Sequence, residues 1–226
     1  MIFRNLRGLR RAYILCWVKV FLTTGSTWQR QRRIVNPAFE GGRRRLKQAF
    51  PAIQAAAGAF LAELSPGTVD VEPLASKLAA IVIFRTLFSV PIKDKTASKV
   101  FDAFRTYQRQ QPVANLPALV PALRWLPFWQ NRRVKRSALE IRGLITYLTL
   151  IRQDQLAASR APQDLATRQL STQDPETGTR LSLSEMVDQV IFVCAGHETS
   201  AAALSWALYL LARYPQFQDQ VAQEAT

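Results

Sequence analysis

Apolar positions recur along most of this chain at helical spacing. Leu74, Leu78, Ile81, Phe84 and Phe88 return every three or four residues, which is the stripe of a helix buried along one side. The same rhythm, interleaved with arginines, runs through Leu139, Leu144, Leu148 and Ile151 and predicts a long helix over residues 131–160. Between these segments the pattern predicts further elements. Thr27 reads as the N-cap of a helix that carries Trp28, Arg32 and Val35, with Asn36-Pro37 disturbing it and Gly41-Gly42 turning the chain. Arg43-Arg44-Arg45 then opens an alanine-rich helix to Leu64.

Ser65-Pro66-Gly67-Thr68 marks a turn, residues 69–72 read as extended, and Pro91 closes the helix of Phe88. A helix over residues 96–111 follows. The four prolines and Trp125 of residues 112–127 predict turns and short pieces. The polar stretch 161–180, with Asp174-Pro175 and Thr177-Gly178, reads as a loop or hairpin. Ser182 and Glu185 have the spacing of a capping box, which starts a helix that runs to Tyr214. Pro215 ends it, and a last helix begins at Gln216. The pattern therefore predicts a mainly α fold with few or no strands and no internal repeat.

Composition adds a strong basic balance. Thirty Lys and Arg against sixteen Asp and Glu give a formal charge of +14 over 226 residues. This favours anionic partners without choosing among nucleic acid, acidic lipid, an acidic protein surface and cofactor carboxylates. The two cysteines, Cys16 and Cys194, both sit in apolar surroundings and form no secreted-type framework. The single histidine, His197, excludes a multi-histidine metal site. At the start, Arg4, Arg7, Arg10 and Arg11 precede an apolar run from Ala12 to Val18. The run imitates a signal peptide, yet Lys19 interrupts it, no small-residue cleavage site follows, and it falls short of the roughly 20 apolar residues that span a bilayer. Residues 1–18 are read as an unmatched basic leader and residues 19–226 as one domain.

The chemistry concentrates in Ala195-Gly196-His197-Glu198-Thr199-Ser200, in the middle of the long apolar helix. Glycine costs a helix interior about 1 kcal/mol against alanine, and a carboxylate is rarely buried without a partner. Gly, Glu and Thr together predict one of two things: a core helix with Gly196 as a close-packing site and Glu198 paired to an arginine, or a helix opened locally around a ligand, with freed carbonyls at the glycine and an acid and an alcohol placed to move a proton. Upstream, Trp28 and Arg32 lie four apart and share a helical face, which taken alone reads either as a basic solvated face with one packed aromatic or as a pair of donors for a buried carboxylate. The indole N–H is a donor and the guanidinium is a planar fork for a carboxylate.

These two segments resemble the cytochrome P450 family. Residues 195–200 are similar to the family's oxygen-binding helix, Ala/Gly-Gly-x-Asp/Glu-Thr-Thr/Ser, and Trp28 with Arg32 to its Trp-x-x-x-Arg element. Arg85-Thr86-Leu87-Phe88-Ser89 is similar to Arg-Thr-Leu-Phe-Gly at the end of an earlier helix, with Ser89 in place of the glycine. The resemblance implies a partial P450 fold with haem as cofactor. Trp28 and Arg32 would meet its propionates, Ala195 and Gly196 would line the oxygen groove, and Glu198 with Thr199 would form the acid–alcohol pair that delivers protons. Arg33 would face solvent, and His197 would point elsewhere and ligate nothing. The implied reaction is insertion of one atom of O2 into a small lipophilic substrate, with electrons from a ferredoxin or flavoprotein reductase.

The family's Phe-x-x-Gly-x-Arg-x-Cys-x-Gly loop, which carries the haem-ligating cysteine, has no counterpart here. Neither Cys16 nor Cys194 has its neighbours. Glu40-Gly41-Gly42-Arg43 has the letters of the family's Glu-x-x-Arg element but lies too early and holds a Gly-Gly turn. The expectation is therefore a domain truncated at both ends, inactive alone, from a cytoplasmic protein or one peripheral to a membrane if a missing N-terminus carries an anchor. Two other readings compete: a haem-free helical pseudoenzyme, and a basic nucleic-acid-binding module. The scattered basic clusters match no nucleic-acid-binding motif, and no nucleic-acid partner is expected.

Overall fold

A computed structural model describes residues 23–40, 42–90, 95–109 and 130–224, and among these described residues nine helices form. In chain order they are α1 (Gly25–Phe39), α2 (Gly42–Leu61), α3 (Val71–Phe88), α4 (Lys95–Arg109), α5 (Gln130–Ala157), α6 (Leu165–Ser171), α7 (Leu183–Ala195), α8 (His197–Arg213) and α9 (Pro215–Glu224). No strand occurs among the described residues, as the helical periodicity predicts. The basic leader, Cys16, Pro91 and residues 112–127 lie outside the described residues.

The apolar stripes meet in one main core. Phe84, Leu87 and Phe88 of α3, Phe104 and Tyr107 of α4, Ile141 and Ile145 of α5, and Met186, Val190 and Ile191 of α7 are all buried there. A smaller cluster, Ala56, Phe60 and Ile81, holds α2 against α3. Helix α8 runs along α3, whose small residues Ala75, Ser76 and Ala80 are buried, so the two backbones approach closely. The buried lining of α3 and α7 thus fixes the path of the segment that contains Gly196.

Several local expectations need correction. Helix α1 starts at Gly25, ahead of Thr27, with Thr24 at the N-cap making no side-chain cap bond. It passes through Pro37 to Phe39. That proline sits in the last turn and is exposed, so only one late backbone bond is forgone. Helix α3 begins at Val71, so the stretch read as extended is already helical at its end. The polar stretch 161–180 contains α6, capped by Asp164, whose carboxylate accepts from Thr167 N at 2.9 Å.

Candidate functional site

The long helix predicted from the capping box is two helices that meet at Gly196. The box itself forms: Ser182 Oγ accepts from Glu185 N, and Glu185 Oε2 accepts from Ser182 N at 2.9 Å. Helix α7 ends at Ala195 and α8 starts at His197. At the junction Gly196 N donates to Val193 O at 3.0 Å, one residue short of the α-helical register. A Cβ on Gly196 would lie 3.1 Å from that same carbonyl oxygen, a tight contact that glycine avoids. Bonding resumes loosely, with Ser200 N donating to Gly196 O at 3.4 Å.

The residues after the break divide by burial. His197 is buried, and its Nδ1 lies 2.7 Å from Cys194 O. A carbonyl only accepts, so Nδ1 carries the proton and Nε2 is left buried without a partner among the described residues. Phe101 and Phe104 of α4 meet the ring edge-on at centroid distances of 6.1 and 5.9 Å. Sequence reasoning set His197 aside. The structure makes it the contact between the break and α4, and no local signal in the sequence marks that role. Glu198, Thr199 and Ser200 are exposed, while Ala195 is buried. Thr199 Oγ donates to Gly196 O at 3.0 Å. Partial burial pushes the Glu198 carboxyl up, which His197 opposes and Glu72 reinforces. The Cys194 thiol is free, buried and pushed up by burial to about 12, so it is a neutral core side chain and no thiolate.

On α1, the Arg32 guanidinium lies 6.0 Å from the centroid of the Trp28 ring, a cation–π pair on an exposed face. The neighbouring cations are engaged. Arg30 pairs with Glu185, and Arg33 Nε donates to Asp174 Oδ1 at 2.6 Å, with Glu176 beside it. Arg33 is therefore not the solvent-facing residue expected. Its partner, the Asp174 side chain, is wholly buried, and the pair ties α1 to the turn after α6. Gln31 Nε2 donates to Glu185 Oε1 at 3.1 Å, and Gln189 Nε2 donates to Gln31 Oε1 at 3.3 Å. Burial alone would push Glu185 up, but hydrogen bonds from Ser182 and Gln31 and the charge of Arg30 hold it below the usual carboxylate range. Among the described residues no acid pairs with Arg32, so Trp28 and Arg32 stay available as donors while their neighbours hold α1 on α7. The two constellations lie on separate elements, and among the described residues no hydrogen bond or ion pair joins them. No group of His, Cys, Asp and Glu among the described residues is arranged to hold a metal ion.

Comparison with known proteins identifies the family and the fold. A family model described as cytochrome P450 matches residues 14–226. Pentalenene oxygenase of Streptomyces avermitilis is 33% identical over 199 residues, covering 87% of this chain and 42% of that protein. Cytochrome P450 72A13 of Arabidopsis thaliana is 28% identical over 211 residues, covering 88% and 40%. Among solved structures, the heme domain of cytochrome P450DA superposes with a TM-score of 0.72 at 22% identity, over 97% of this chain and 47% of that one. Retinoic acid-bound cyanobacterial CYP120A1 gives 0.71 at 24% identity, over 89% and 43%. The chain spans about two fifths of the length of these curated relatives. Since the family model matches nearly the whole chain, residues 14–226, the chain belongs to the cytochrome P450 family.

Proposed function

We propose that this chain is the oxygen-side portion of a haem-dependent monooxygenase, which inserts one atom of O2 into a small lipophilic organic substrate with electrons from a separate reductase. The observation that carries the reading is the break at Gly196, which turns Glu198 and Thr199 outward on the helix while Ala195 stays buried. Haem, when bound, supplies the redox-active iron at which O2 is activated. The residues present fit such a group: Trp28 and Arg32 offer an indole N–H and a guanidinium with no acid of their own among the described residues, which suits carboxylates. Ala195 and Gly196 present little bulk at the break. Thr199 Oγ holds a hydroxyl proton on the Gly196 carbonyl. Glu198, with its carboxyl pushed up, retains a proton more readily than a free glutamate and so serves as the donor.

Cys194 lies buried in the main apolar core with Val190 and Ile191, so we give it no ligand role. We expect the chain by itself to bind haem without thiolate character and not to turn over. A haem titration followed by reduction and carbon monoxide tests this. The expected result is a non-thiolate haem complex that Arg32→Ala weakens about tenfold, the worth of one charge-assisted hydrogen bond. A thiolate-type Soret band would mean that Cys16 or Cys194 is recruited. Unchanged affinity in Arg32→Ala would remove the propionate role. No haem binding at all would favour the haem-free helical scaffold.

A further inference from the structure

We propose that the open hollow lined by α1, α2, α3 and α6 is a binding site for an amphiphilic carboxylate, distinct from both the Trp28–Arg32 face and the break at Gly196. Its volume is about 610 Å³, within the range of small-molecule sites. Arg85, in the last turn of α3, and Arg168, on α6, both line it. Among the described residues neither guanidinium meets a carboxylate. Arg168 Nη2 donates to the neutral Gln48 Oε1 at 3.3 Å. The acid in the wall, Asp164, is already engaged: it pairs with Arg152 and accepts from Ser89 Oγ at 3.0 Å and from Thr167 N. Among the described residues the wall therefore carries two cations without a paired carboxylate.

The floor differs in kind. Ala38, Phe39, Ala49, Ala52 and Leu165 give it an apolar surface. Placement near helix C-termini accounts for the sign of the two arginines. It does not account for two of them sharing a hollow with alanines that leave room for a ligand body. An inorganic anion would satisfy the forks and leave the floor wet, whereas a neutral lipid would leave the forks unused. A carboxylate on a short alkyl chain uses both, with a planar head for the guanidinium fork and methylenes for the alanine floor.

Calorimetric titration of the chain with octanoate, octanamide and inorganic phosphate tests the site. Octanoate is expected to bind at least about tenfold more tightly than either of the others. The double variant Arg85→Gln/Arg168→Gln should lose about that factor, and Ala52→Trp, which keeps both charges and fills the floor, should lose it too. Arg32→Ala and Glu198→Gln should leave octanoate affinity unchanged. Circular dichroism checks each variant's helix content; should the double Gln variant fail to fold, Arg85→Lys/Arg168→Lys and Ala52→Trp decide. Equal binding of octanoate and octanamide, or of octanoate and phosphate, overturns the proposal. So does octanoate affinity that survives Ala52→Trp or that depends on Arg32 or Glu198.

Discussion

The guanidinium of Arg152 and the carboxylate of Asp164 meet in the interior, each side chain only 4% exposed. Arg152 comes from α5 and Asp164 caps α6. Around the pair, Arg152 also donates to Phe88 O at the end of α3 and to Thr167 Oγ at 3.0 Å, and Asp164 accepts from Ser89 Oγ. One ion pair thus joins α5 to the ends of α3 and α6, at the hollow that Asp164, Arg85 and Arg168 line. Its partners lie 12 residues apart in the chain, yet what makes the pair useful is Phe88, which comes from a different element.

Removing one partner strands the other. Asp164→Ala leaves a buried guanidinium without a counter-charge and takes the cap from α6, so it should cost roughly 3–5 kcal/mol, as for other broken buried pairs. Arg152→Met/Asp164→Leu removes both charges and should cost clearly less than Asp164→Ala alone. Urea unfolding of the three proteins checks the order. A double variant as unstable as the single would show that packing, not charge, sets the loss.

Ser89 stands where the family resemblance has glycine, and it adopts a left-handed conformation at φ 54°. A side chain there costs the backbone about 1–2 kcal/mol for an L-residue. The hydroxyl offsets this through its bond to Asp164, about 1 kcal/mol. Ser89→Ala keeps the strain and loses the bond, so it should be destabilised by about 1 kcal/mol. Ser89→Gly loses both and should fall close to wild type. Chemical denaturation separates them, and Ser89→Gly less stable than Ser89→Ala would contradict the strain argument.

What was legible in the sequence was what neighbours in the chain decide. Ser182 and Glu185 lie three apart, and their reciprocal bonds need nothing from the rest of the fold. Gly196 disturbs its helix through its own turn. The stripe of α3 showed its buried side in Phe84 and Phe88. What was hidden depends on partners far along the chain. Arg33 looked like a solvated arginine because its acid, Asp174, is 141 residues away. Helix α6 has seven residues in a polar stretch, and its cap matters because Arg152 and Phe88 surround it. His197 gave no sign that two phenylalanines of α4 would enclose it. Pro37 misled in the opposite direction, since a proline in an exposed last turn removes little.

The Arg33–Asp174 pair should make stability depend on acid. Hydrogen bonding from Arg33, against the opposing effect of burial and with help from Thr177, holds the Asp174 carboxyl well below its ordinary range. A carboxyl depressed by folding contributes stability above its unfolded value, near 3.9, and loses it as pH falls toward the folded value. Asp174→Asn should therefore be less stable than wild type near neutrality, with the gap narrowing once pH drops below about 4. Denaturation midpoints measured across that range check it. A gap that stays constant would mean that the amide variant fails for reasons of packing, and that the ionised pair is not what holds α1 to the turn after α6.

Glu198 carries the opposite sign. Partial burial pushes its carboxyl up, His197 pulls it down, and Glu72 of α3 adds to the rise. A carboxyl raised by folding favours the native state while both states are protonated. That advantage is lost as pH rises past the unfolded value, near 4.3, and through the folded one. Near neutrality the charged side chain therefore weighs against the fold, and Glu198→Gln should be the more stable protein. Below about 4.3 the two should converge. Glu72→Gln, by removing the reinforcing charge, should move the Glu198 titration downward, which carboxyl chemical shifts read directly. A Gln variant less stable than wild type near neutrality would remove the desolvation argument, and with it the reason to regard Glu198 as a ready proton donor beside Thr199. Observing both the stabilisation and the downward shift would mean that the charged side chain stands at a cost to the fold, set by its partial burial and by Glu72.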